Sequence, residues 1–161
     1  MADIKTKYGT SNQSITITLN GLADNAYRQS AANNNSVNLY LDILVQLKID
    51  TGNVGPPAGE SNVLVFAFGS ADGGVTNSGG AGVGDAAYGG VAGQLIDNAK
   101  LLGTIAVDAQ NETFESDCFS IASAFGGVVP MIWGIIVLNQ IGQALGAGSA
   151  AFYQGVMAQS P

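Results

Sequence analysis

The sequence predicts an all-β protein: an antiparallel β-sandwich or jelly roll of seven or eight strands carrying one long glycine-rich loop. Three observations predict it. From 37 to 49 every odd position is apolar (Val37, Leu39, Leu41, Ile43, Val45, Leu47, Ile49), while the even positions hold one aliphatic residue, Leu44. A strand places that set on one face, whereas a helix scatters it round the circumference. Strand-length apolar runs recur along the chain, each bounded by Gly, Asn, Asp or Gln. No long amphipathic helical period occurs in the 161 residues.

The elements follow in order. Residues 1–13 are polar and read as an N-terminal arm or a frayed lead-in strand, and residues 14–161 as a single sandwich domain. Ser14 to Leu19 alternates Ile15, Ile17 and Leu19 against Thr16 and Thr18, the pattern of a half-buried strand, and Asn20-Gly21 signals a turn. Residues 22–36 read as a long polar connection, in which Asp24 and Arg28 stand four apart, the spacing of one helical turn. The strand over 37–49 points Leu39, Leu41, Ile43, Val45 and Leu47 at the core, so that Leu41→Asp is expected to abolish soluble protein. A Pro-Gly loop then leads to 62–69, where Val63, Val65 and Ala67 oppose Leu64, Phe66 and Phe68, so both faces are apolar and the strand is central or covered by a partner. Residues 69–93 hold ten of the 23 glycines, too many for a packed helix, since each interior Gly costs about 1 kcal/mol relative to Ala. Lys100–Val107, Thr113–Ile121, Met131–Asn139 and Ala150–Met157 complete the strands.

Residues 121–138 are apolar enough to imitate a transmembrane span. Gly126-Gly127 and Pro130 interrupt the run, and no Lys or Arg follows Lys100 to set a topology. Two buried strands joined by a Gly-Gly turn, with Trp133 in the core or an interface, is the preferred reading, and no membrane contact is expected.

Composition excludes several functions. There is no His, so no His-based triad or zinc site, and one Cys forms no internal disulfide. Five basic residues against twelve acids give a net charge of −7, which repels nucleic acid. Charged residues are only 11% of the chain, against about 25% in ordinary soluble domains, which suggests a surface finished by neighbours or by neutral polar residues. The opening Met1-Ala2-Asp3-Ile4-Lys5 lacks the features of a signal peptide, so synthesis in a cytoplasm is expected.

No motif brings a convincing chemistry. Gly82-x-Gly84-x-x-Ala87 fits a loose dinucleotide fingerprint, but Gly89, Gly90 and Gly93 interrupt the helix that such a site needs. A calcium site on Asp72 or Asp85 with loop carbonyls is open, although no metal is expected. Cys118 lies among Glu112, Glu115 and Asp117, which disfavour a thiolate, so it reads as structural. Glu112 and Glu115 read as a solvated turn rather than a glycosidase pair. No catalytic residue and no cofactor are expected.

The stretch Ser14-Ile15-Thr16-Ile17-Thr18-Leu19-Asn20-Gly21-Leu22-Ala23, with Tyr27-Arg28-Gln29-Ser30 after it, resembles small structural proteins of tailed bacteriophages, as do Asn38-Leu39-Tyr40-Leu41-Asp42 and Trp133-Gly134-Ile135. Among these the chain is most similar to capsid decoration, or cement, proteins. The resemblance implies a non-enzymatic virion protein on the capsid exterior, a β-sandwich that oligomerises, with a trimer favoured, and binds the major capsid protein. A tail or fibre subunit and a jelly-roll carbohydrate- or receptor-binding module are the alternatives. Tyr8, Tyr27, Arg28 and Tyr88, on arm and loop segments, are the expected oligomer or capsid contacts, since Tyr and Arg bury large area while keeping polar tips satisfied.

Overall fold

The computed structural model describes residues 4–52, 61–80, 82–88 and 98–159. Within them the chain forms β1 (Lys5–Tyr8), β2 (Gln13–Ser14), β3 (Tyr27–Gln29), β4 (Asn33–Asn34), β5 (Asp42–Asp50), β6 (Asn62–Ser70), β7 (Ala86–Ala87), β8 (Lys100–Ala106), β9 (Thr113–Glu115), β10 (Phe119–Ser120), β11 (Ile132–Gln140) and β12 (Ala150–Gln159). One helical turn, α1 (Ile121–Ala124), precedes β11. The strands make two six-stranded antiparallel sheets packed face to face. The fold is thus an all-β sandwich.

Twelve described strands replace the expected seven or eight because three of eight strand places are each split in two and β7 is added. β1 and β2 share one side of β12, β3 and β4 share one side of β11, and β9 and β10 share one side of β5. Between β9 and β10 the split has a visible cause. The Ser116 hydroxyl, not a backbone carbonyl, receives the Leu47 N–H at 2.9 Å. Counted by place in chain order, the first sheet runs first, eighth, third, sixth, and the second runs second, seventh, fourth, fifth. This is the jelly-roll winding, with β7 added beside β3.

The core fills the space between the sheets. Ile43, Val45, Leu47 and Ile49 of β5 face Val63, Val65 and Ala67 of β6 and Trp133, Ile135 and Val137 of β11, all fully buried. Trp133 meets Tyr153 edge-on at 5.3 Å between ring centroids. β6 lies between β11 and β8, as its two apolar faces predict. Its outer face, with Phe66 and Phe68, packs with Ile136 and Leu138 in a second apolar cluster. Gly134 makes that packing possible, since a Cβ there would lie 2.3 Å from the Phe68 ring.

Several local expectations are corrected. The strand begins at Asp42, not 37, and Leu39 and Leu41 are exposed rather than in the core. Asn35 causes this. Its side chain accepts from the Tyr40 N–H at 2.8 Å and donates to the Tyr40 carbonyl at 3.0 Å, bracketing residues 35–40 as a tight turn. Ile15 to Leu19 keep their alternating burial but join no ladder, because this segment crosses from one sheet to the other: Ile15 donates to Ala151 and Thr16 accepts from Ala31. The connection over 22–36 contains β3 and β4. The run from 113 to 121 ends in α1, whose cap is the Ser120 hydroxyl accepting from Ser123 N–H. Hence 121–138 is a helical turn, a Gly-Gly turn and one strand, not two strands. Residues 5–8 of the expected arm are paired with β12. No helix among the described residues is long and apolar enough to cross a membrane.

Candidate functional site

The glycine-rich segment is fastened along the outer edge of β3. Arg28 Nε donates to Asp85 Oδ1 at 2.6 Å, and the Thr18 hydroxyl donates to Asp85 Oδ2 at 2.6 Å. Gln29 clasps the loop from both sides, donating to the Gly84 carbonyl at 2.7 Å and accepting from the Gly82 N–H at 3.0 Å. The Tyr88 hydroxyl closes the segment on itself by donating to the Gly79 carbonyl. Burial alone would raise the Asp85 pKa, but the Arg28 and Thr18 hydrogen bonds outweigh it and hold the carboxyl below its ordinary value. Burial, with Tyr27 beside it, pushes the Tyr88 hydroxyl up, so it stays a protonated donor.

This fastening brings three of the four expected contact residues together and alters their roles. Tyr27 and Tyr88 sit with ring centroids 6.0 Å apart. Tyr88 is buried in the second apolar cluster, so it anchors the loop to the sheet instead of offering a free surface. Arg28 pairs with Asp85, 57 positions away, and not with Asp24, whose carboxylate accepts from Gly142 N–H and Asn25 Nδ2. Tyr8 stands apart on β1, exposed. Next to Tyr27 the outer face carries an apolar groove lined by Leu64, Phe66, Ala99, Leu101 and Leu138. Sequence periodicity signals this groove through the even-numbered residues of 62–69, but it could not name β8 and β11 as the strands that complete it.

The other candidate positions carry no shared chemistry. Asp72 accepts from the Ser70 hydroxyl at 2.6 Å and from Thr76 N–H at 2.9 Å, and these bonds lower its pKa to about 2. Both of its oxygens and both of Asp85's are thus engaged by the chain's own donors. Among the described residues no group of three or more metal-ligating side chains occurs. Gly82 and Gly84 lead into β7 rather than a helix, so the geometry of a dinucleotide site is lacking there. Cys118 is free and exposed, beside Asn12, Leu44 and Phe152 on the outer face of the first sheet. Glu112 and Glu115 are exposed. Gly89, Gly90 and Gly93 lie outside the described residues.

The two ends of the sandwich differ. At one end the segments 15–26, 51–52, 107–112 and 141–149 are tied together by polar groups. Asp50 accepts from Gly52 and Gly148 N–H groups at 2.9 and 2.8 Å, which lower its pKa. The buried Asn139 side chain donates to the Leu22 and Gln143 carbonyls at 2.9 and 2.7 Å and accepts from Ile141 N–H at 3.2 Å. Gln143 in turn donates to the Thr51 carbonyl at 2.9 Å. The opposite end, formed by 35–41, 71–85 and 125–131, presents Val37, Leu39, Leu41, Val75, Val83, Val128 and Met131 to solvent. Pattern reading misses these residues because alternation assigns Leu39 and Leu41 to a core face.

In comparisons with family models, curated proteins and solved structures, nothing matches this chain.

Proposed function

We propose that the chain is a non-enzymatic structural protein of a bacteriophage virion, binding as an oligomer, with a trimer favoured, to the outer surface of the major capsid protein lattice. The observation that carries this reading is the apolar outer face of the second sheet, whose groove of Leu64, Phe66, Leu101 and Leu138 offers a neighbour apolar area outside the main core. Oligomeric attachment multiplies modest contacts through effective concentration. The acidic net charge favours this exterior role, because it leaves nucleic acid unbound. A carbohydrate-binding module is disfavoured, since Trp133, the one tryptophan, is buried in the core and provides no stacking platform.

The test is cosedimentation of the purified protein with capsids assembled from the major capsid protein of the same genome. Saturable binding that Leu101→Ser weakens at least about tenfold supports the reading. Binding to tail tubes but not capsids would replace it with the tail-subunit alternative, and binding to neither would overturn it.

A further inference from the structure

We infer that the apolar end of the jelly roll, made by the turns at 35–41, 71–85 and 125–131, is where copies of this chain meet one another. Ten large apolar side chains are exposed among the described residues; seven lie on these three segments, and of the others Ile4 lies just before the flanking β1 and Tyr8 within it. The segments form one continuous surface. Asn35 N–H donates to the Met131 carbonyl at 2.8 Å, the Met131 methyl lies near Gly73, and Val83 packs beside Gly74. Val37 is 84% exposed, Val75 86% and Leu39 70%. Together the seven side chains offer on the order of 700 Å², close to one partner's share of a standard-size interface and at or above the largest patch on typical monomers.

Charge selects a second copy as the occupant. The described part of these segments holds no Lys or Arg, and of its two carboxylates Asp85 is half-buried and paired with Arg28 and Thr18, while Asp72 is exposed and held by Ser70 and Thr76. The opposite end displays Asp24, Asp50, Asp108 and Glu112. Two copies of a chain with net charge −7 repel wherever acids face acids, and the apolar end, where Asp72 is the one exposed carboxylate on the described segments, is where they can approach with the smallest penalty. The same patch on every copy suits a closed symmetric assembly.

Leu39 adds a further argument. Its φ is +50°, in the left-handed region that disfavours a leucine, and its side chain is exposed, so nothing within the subunit accounts for a leucine there. A residue that strains the subunit and leaves most of its surface in solvent is accounted for by a contact outside it.

This inference rests on the self-associating part of the function proposed above and adds the surface. The experiment is sedimentation equilibrium from 1 to 100 µM, with melting measured in parallel. The wild type is expected to be a dimer or trimer. Val37→Ser combined with Leu41→Ser is expected to weaken association at least about tenfold. Leu39→Asn is expected to weaken association while the melting temperature holds or rises by about 2–4 °C, since Asn accepts the left-handed conformation. Asp108→Asn, at the opposite end, is expected to leave the assembly intact. A monomeric wild type, or variants that associate like wild type, would overturn the inference. So would binding of the wild type to phosphatidylcholine vesicles that the same variants abolish, which would assign the end to a membrane. A monomer that still attaches to capsids sinks this inference and leaves capsid decoration standing. An oligomer lost in these variants that binds no capsid does the reverse.

Discussion

The two ends of this sandwich solve the same problem, closing a stack of β-strands, by opposite means. The polar end saturates its loops with hydrogen bonds centred on Asp50 and Asn139, so each connection depends on its neighbours. The apolar end closes its turns mostly with local side chains, Asn35 in one and Ser70 with Asp72 in another, links two of them by the Asn35 N–H to Met131 carbonyl bond, and leaves its valines and leucines outward. The first arrangement stabilises the subunit. The second holds little of the subunit's stability and leaves a surface free to change. Residues that keep the fold and residues that meet a partner can therefore be separated by mutation along one axis of the molecule.

The strongest test of that separation is Asn139→Ala. It strands the Gln143 carbonyl and the Ile141 N–H, each costing about 1–3 kcal/mol, while the Leu22 carbonyl keeps its bond from Leu145 N–H, and is expected to destabilise the subunit by about 3 kcal/mol in urea unfolding. A loss below about 1 kcal/mol would mean that water replaces the asparagine and the polar end is less interlocked than its geometry implies. Asp50→Ala comes next. It removes the acceptor for two loop N–H groups at a partly exposed site, with an expected cost of about 1 kcal/mol.

Acid sharpens the comparison. Asp50 and Asp85 both have folded pKa values below the ordinary carboxylate value, so the unfolded chain binds protons more readily than the folded one. Their contribution is complete above the unfolded value near pH 4 and is lost as the pH falls through the lower folded values. A melting series from pH 6 to pH 2.5 is expected to show a fall confined to the acid side of pH 4, flattened in Asp50→Asn. A decline beginning near pH 6 would assign the dependence to other groups. The smallest effect belongs to the apolar end. Leu41→Asp and Val128→Ser are expected to change subunit stability by no more than about 0.5 kcal/mol, checked on dilute protein by urea unfolding. Loss of soluble protein in Leu41→Asp would return this residue to the core.

Much of the fold was legible because period 2 is a strong signal where a strand buries one face. The odd residues from Ile43 to Ile49, the two-faced run at 62–69 and the strands near 100, 132 and 150 all reflect that rule. The pattern failed where side chains override it. At 37–41 the alternation continues into the turn that Asn35 closes, so identical periodicity has two structural outcomes. β3 and β4 are two or three residues long and polar, too short for any period, and pairing with β11, and for β3 also with β7, defines them. The expected contact residues were half legible. Tyr27, Arg28 and Tyr88 do gather, but the i, i+4 spacing of Asp24 and Arg28 pointed to a local pair, while the partner, Asp85, is brought in by the docking of a loop. No local pattern encodes a bond between positions 28 and 85.

The position of β12 has a consequence for how the chain is made. It follows the other described strands in sequence, yet it lies in the interior of its sheet, with β1 and β2 on one side and β5 on the other. During synthesis β1 and β2 have no strand partner among the described residues until residues 150–159 are made. The second sheet is composed entirely of residues before 141 and can pair while synthesis continues. Until β12 is made, β5 can pair with β9 and β10 along one edge while its other edge stays open. Deleting residues 150–159 would therefore remove the centre of a sheet rather than trim its edge.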